Sequence, residues 1–211
     1  MKNSLFPNMK QILLMIAVVA VVGCGESAEE KAAKAKAAEA KAIAEAKLAA
    51  KAKAIAEAKA AADWKVIEAA IRAAIDKPTG ELTKADFEKV TMLDIRYTNL
   101  TSVKGLEKCT QLTRLILDTN KLTDVKGLEK LTKLNLLWLG RNQLTFVKGL
   151  EKLTQLEQLG LHTNQLTDLT GLEKLKKLKG LDLRSNSGIT YVHINELQKA
   201  LPKCNISSNF D

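Results

Sequence analysis

The chain has 211 residues, 33 Lys and Arg against 24 Asp and Glu, a formal charge of +9, and only 4% aromatic side chains. Composition divides it into an apolar start, residues 1–23, an Ala/Lys/Glu stretch over 24–62, and a Leu/Thr/Gly/Asn-rich remainder, the only part with the varied apolar content of a packed core. In that remainder lysines alternate with glutamates, as in Lys104-Gly105-Leu106-Glu107-Lys108, which gives a solvated mixed-charge face rather than a basic stripe, so no nucleic-acid partner is expected.

Lys2 and Lys10 precede an unbroken apolar run from Ile12 to Val22. The run is long enough for the core of a signal peptide and short of the roughly 20 residues of a bilayer span. It ends in Val21-Val22-Gly23-Cys24, which resembles the bacterial lipobox. That resemblance implies cleavage after residue 23, a diacylglyceryl group on the Cys24 thiol, and a mature charge of +9 less two lysines, or +7. The three acyl chains of a mature lipoprotein suffice for stable anchoring where one does not. In Gram-negative lipoproteins an Asp after the cysteine often retains the protein at the inner membrane; Gly25 stands here, so the expected location is the bacterial cell envelope, at the outer membrane. An uncleaved N-terminal anchor is the alternative, and it too puts the chain on a membrane.

From Ser27 to Ala62 the sequence is nearly all Ala, Lys and Glu, which lose little side-chain entropy in a helix. Ser27 and Glu30 have capping-box spacing. Lys41 to Lys47 recurs word for word at Lys53 to Lys59, and a twelve-residue offset rotates a helix face by about 120°, so Ile43 and Ile55 do not form a coiled-coil stripe. A solitary solvated helix of about 35 residues would reach about 50 Å and serve as a stalk. A partly disordered tail is the alternative, since little in the segment can be buried.

Beyond Pro78 a 22-residue period aligns Leu112, Leu134, Leu156 and Leu178. The fullest copy runs Leu112-x-x-Leu115-x-Leu117-x-x-Asn120-x-Leu122-x-x-Val125-x-Gly127-Leu128-x-x-Leu131, and the copies from Leu134 and Leu156 match it throughout. An earlier copy fits with Thr98 at the Asn position and Cys109 at a Leu position, and a fifth breaks up at Ser187-Gly188. The pattern resembles the leucine-rich repeat family in its 22-residue bacterial, internalin-type form. The resemblance implies an α/β solenoid with a parallel concave β-sheet, inward Asn120, Asn142, Asn164 and Asn186 bonding backbone that leaves the strands, and tight turns at Gly105, Gly127, Gly149 and Gly171. No copy can bury its leucines alone, so neighbours must stack.

Open solenoid ends need caps. Trp64, Ile67, Ile71 and Ile75 follow helical spacing within an N-terminal cap over 63–89, and Ile194, Leu197 and Leu201 fit a short helix closed by Pro202 in a C-terminal cap over 193–211, with Ile206 covering the last edge. Five repeats, the fifth incomplete, fill residues 90–192. Cys109 and Cys204 lie about four strand spacings apart, close to 20 Å against a Cα limit of about 7 Å, so both are expected as buried thiols.

His162 and His193 fall in different elements and no His/Cys cluster has metal-ligand spacing, so neither metal nor cofactor is expected. An acid/base pairing of His162 with Asp118 or Arg184 can be drawn, but these read as exposed column residues, and the chain is not expected to be an enzyme. With leucines inward, the intervening strand residues form the concave face, the usual ligand surface in the family. There Ile116, Leu136 and Trp138 make an apolar patch rimmed by Arg114, Tyr97 and Arg141, with His162 nearby and Gly140 and Gly160 expected to leave space beside the Trp ring. An exposed Trp next to Arg has hot-spot composition. Trp138 lying flat to shield its neighbours is the alternative. The expected function is non-catalytic protein or peptide binding through the concave sheet, on a membrane-anchored lipoprotein. In the alternative, an envelope tether, the helix is the working part.

Overall fold

The structure, a computed structural model, describes residues 27–210; the proposed signal peptide and Cys24 lie outside them. One helix, α1 (Ala28–Ala74), opens the described chain. Its start is capped reciprocally: the Glu30 amide donates to Ser27 Oγ at 3.2 Å and the Ser27 amide to Glu30 Oε2 at 3.3 Å. The chain divides into two compact units between Glu57 and Ala58. In the first, every residue from 28 to 57 is exposed, Ile43, Leu48 and Ile55 included. Lys41–Glu45 and Lys53–Glu57 form exposed i,i+4 pairs at 3.9 Å, worth about 0.3–0.5 kcal/mol each. Its helicity therefore comes from propensity, not burial.

The second unit begins within the same helix, which runs without a break through position 62, where composition changes. What changes there is burial: Asp63, Ile67 and Ile71 are covered. Pro78 and Gly80 follow the helix end, and Arg72 ties this turn down, its guanidinium donating to Glu68 Oε1 and to the carbonyls of Lys77 and Gly80. Helix α2 (Lys84–Lys89) starts on a capping box between Thr83 and Asp86. Asp86 is buried and meets Lys77 Nζ at 2.6 Å. The Lys77 ammonium, the Thr83 amide and the Thr83 hydroxyl hold its carboxyl well below the usual range.

Then come β1 (Met92–Asp94), β2 (Arg114–Ile116), β3 (Leu136–Trp138), β4 (Gln158–Gly160) and β5 (Gly180–Asp182), followed by α3 (Tyr191–Ala200) and β6 (Asn205–Ser207). All six strands are parallel and lie in chain order. The register puts Leu93, Leu115, Leu137, Leu159, Leu181 and Ile206 in one inward column. Each leucine so buried contributes about 1.5–3 kcal/mol, which accrues only once the next coil is in place.

The asparagines stitch coil to coil. Asn142 Nδ2 donates to the Leu117 and Leu139 carbonyls, both at 3.1 Å, while its Oδ1 accepts the Leu122 amide at 3.0 Å. Asn120, Asn164 and Asn186 repeat the pattern. At the first copy the Thr98 hydroxyl donates instead to Asn120 Oδ1 at 2.9 Å. Gly105, Gly127, Gly149 and Gly171 have φ of 100 to 108°, which L side chains rarely adopt, and each opens a 3-10 turn. The glutamate of each Lys-Gly-Leu-Glu or Thr-Gly-Leu-Glu step folds back to accept the glycine amide, at 2.5 Å for Glu129 and 2.6 Å for Glu151. These carboxylates thus cap turns, a role beyond the solvated face expected of them.

Both solenoid ends are closed. Upstream, the Asp63 carboxylate accepts the Thr101 amide and hydroxyl, and the Trp64 ring fills the place a Cβ on Gly105 would take. Lys108 Nζ lies 5.0 Å from the Trp64 ring centre and 5.2 Å from that of Phe87, a cation–π clasp over the cap. Downstream a sixth strand follows those of the five repeats. After α3, Ile206 covers the last edge by joining the sheet, with β6 in register with β5. His193 is explained too: its Nδ1 accepts the Thr190 amide at the start of α3. Cys109 and Cys204 are buried free thiols, their pKa values pushed up to about 11 by burial.

Candidate functional site

The exposed face of the sheet carries the candidate site, and its polar alternation follows from the period of two. Trp138 is 42% exposed, Tyr97 69%. Ile116 and Leu136 are half-buried; Arg114 and Arg141 are exposed. Register pairs Arg114 with Leu136 and Ile116 with Trp138, so the three apolar side chains share two adjacent strands. Tyr97 and Arg141 follow their strands on left-handed backbone, φ 58 and 55°, as do Thr119, Thr163 and Ser185 in the same column. The backbone ladder nonetheless continues through them, Arg141 N–H donating to the His162 carbonyl at 2.8 Å.

The expected space beside the Trp ring is absent. A Cβ on Gly140 would overlap the His162 imidazole, and one on Gly160 would lie 3.5 Å from Trp138 Cδ1. The two glycines, diagonal on neighbouring strands, are thus filled by the two rings. Trp138 packs on Gly160 and still presents surface to solvent.

Charge on this face is unevenly matched. Arg96 chelates Asp94 at 2.9 and 2.8 Å, and Arg184 chelates Asp182 at 2.9 and 2.6 Å. His162 Nδ1 lies 3.6 Å from Asp182, which is the carboxylate it meets; sequence spacing had offered Asp118. Asp118 instead accepts the Gly140 amide at 2.7 Å, and burial pushes its carboxyl above the usual range against the pull of that bond. Among the described residues, Arg114 and Arg141 have no carboxylate within ion-pair distance. No hydroxyl or thiol among them is hydrogen-bonded to His162, and they hold no group of three His, Cys, Asp or Glu side chains suited to a metal.

Sequence reasoning missed Phe146. It is 48% exposed beside a hollow of about 600 Å³ lined also by Thr145, Lys148, Thr167 and Lys174. In the equivalent position Ser102, Asp124 and Asp168 accept the amides of Lys104, Lys126 and Thr170, so Phe146 gives up a turn cap. The signal was visible in the aligned copies as one aromatic in a column of short polar residues. Tyr191 and Phe210, exposed and edge-to-face at 6.3 Å, were also missed.

Stacked parallel strands, inward leucines and an asparagine ladder define a leucine-rich-repeat solenoid. Residues 88–130 and 132–174 match the family model described as leucine rich repeats (2 copies). An internalin from Listeria monocytogenes superposes with a TM-score of 0.61 at 27% identity, over 67% of this chain and 42% of that one. A leucine-rich-repeat protein from Leptospira interrogans gives a TM-score of 0.53 at 32% identity, over 60% of this chain and 34% of that one. The chain therefore spans less than half the length of either relative. No curated protein sequence matches it significantly.

Proposed function

We propose that the chain is a non-catalytic recognition module that binds a protein or peptide on its concave sheet. The observation that carries this reading is the apolar triad Ile116, Leu136 and Trp138, solvent-accessible on a strand surface that, Met92 apart, is otherwise mostly polar. Arg114, Arg141 and Tyr97 rim it and His162 borders it, the residue types that anchor interfaces. Capture from cells on the full chain and on Trp138→Ala tests it. A partner held by the parent and lost from the variant at unchanged thermal stability supports concave binding; equal capture overturns it.

The same proposal places the module on the bacterial envelope, at the outer membrane, through lipid on Cys24. The lipobox-like run ending at that cysteine supports this, and loss of palmitate labelling in Cys24→Ala would test it. A tether is the second reading, favoured by the wholly exposed helical segment before Ala58. A phenotype that follows deletion of 28–57 and ignores Trp138 would select it.

A further inference from the structure

We infer that the segment recognised on this face is an extended acidic stretch with one large apolar side chain between its carboxylates. The inference rests on the concave-face reading and adds the chemistry of the partner. It follows from which charges the fold leaves unanswered. Of the four concave arginines, Arg96 and Arg184 are chelated within the chain by Asp94 and Asp182. Arg114 and Arg141 are exposed and meet no carboxylate among the described residues. These two flank the apolar triad: Arg114 stands in register beside Leu136, and Arg141 follows three residues after Trp138.

The acids that could answer a basic partner are already engaged. Asp118 is buried against the Gly140 amide, Asp94 and Asp182 hold arginines, and Glu157 holds Lys179 at 2.7 Å. A basic segment would thus meet two unmatched guanidinium groups and, among the described residues of the strand face, no unengaged carboxylate. Carboxylates would find two planar donors able to bind them bidentately, one on each side of an apolar seat. Like-charge juxtaposition also rejects wrong partners, so the arginines act in selectivity as well as attachment.

Selection of a displayed random twelve-residue peptide library on the full chain tests this, with Trp138→Ala and the double variant Arg114→Gln/Arg141→Gln selected in parallel. Matched thermal unfolding of the three proteins establishes that each is folded. The expected result is enrichment of peptides with Asp or Glu on both sides of an aromatic or large aliphatic residue. Those peptides should bind the Gln variant about tenfold more weakly, lose affinity with added salt, and fail on Trp138→Ala. Enrichment that depends on Trp138 without an acidic excess, or that survives the Gln variant, overturns the acidic partner and leaves concave binding standing. Acidic peptides that bind Trp138→Ala equally overturn both, as does the absence of any enrichment.

Discussion

The imidazole of His162 rests on Gly140, in the space a Cβ there would occupy. The glycine at this strand position is therefore a packing requirement imposed by the next repeat. Gly140→Ala should displace the ring, with a loss of about 1–3 kcal/mol in chemical denaturation and a shift of the His162 imidazole resonances. Unchanged resonances and stability would show that the ring does not need that space.

The asparagine ladder gives a sharper test. Asn142→Ala leaves the buried Leu122 amide without its acceptor and removes one of two asparagine donors from the Leu117 and Leu139 carbonyls, which keep Asn120 and Asn164. An unpaired buried amide is costly, so stability should fall by about 1–3 kcal/mol in urea unfolding. A loss below that of an exposed Thr123→Ala control would mean that water or neighbouring groups replace the amide.

How far the sequence could be read depends on what the repeat constrains. The leucine period sets sheet order, inward columns and asparagine ladder, because a slip of one residue would turn every leucine outward. Positions outside that constraint were legible only as candidates. The sixth strand escaped because β6 pairs with β5 after 25 residues, Leu181 to Ile206, with α3 in place of a 3-10 turn. The rings of Trp138 and His162 were seen as concave residues, but which glycine each covers depends on rotamers that spacing does not specify. The Arg96–Asp94 and Arg184–Asp182 chelates, which leave Arg114 and Arg141 unmatched, likewise needed coordinates.

Phe146 stands where Asp124 and Asp168 cap the following turn. Phe146→Asp should restore the bond to the Lys148 amide and raise stability by about 0.5–1.5 kcal/mol in thermal or urea unfolding. Reduced stability would indicate that the ring packs more than its exposure implies.

The N-terminal cap should respond to acid. The Asp86 carboxyl is depressed in the folded chain, chiefly by Lys77, so its contribution is present above the unfolded carboxylate range and is lost as pH falls below about 4. Asp118 works in the opposite sense: burial raises its carboxyl, so protonation relieves a cost. Unfolding followed from pH 7 to pH 2 should show Asp86→Asn less stable at neutrality and converging on the parent in acid. A constant gap between the two would rule out this linkage.

Recognition through the strand surface is tested most directly by a photoreactive amino acid placed at position 138 in cells, beside a second placed at Thr132, exposed in the turn that precedes β3. A discrete protein adduct is expected from position 138 and none from position 132. No adduct from 138, or the same adduct from both, would contradict binding through the concave sheet.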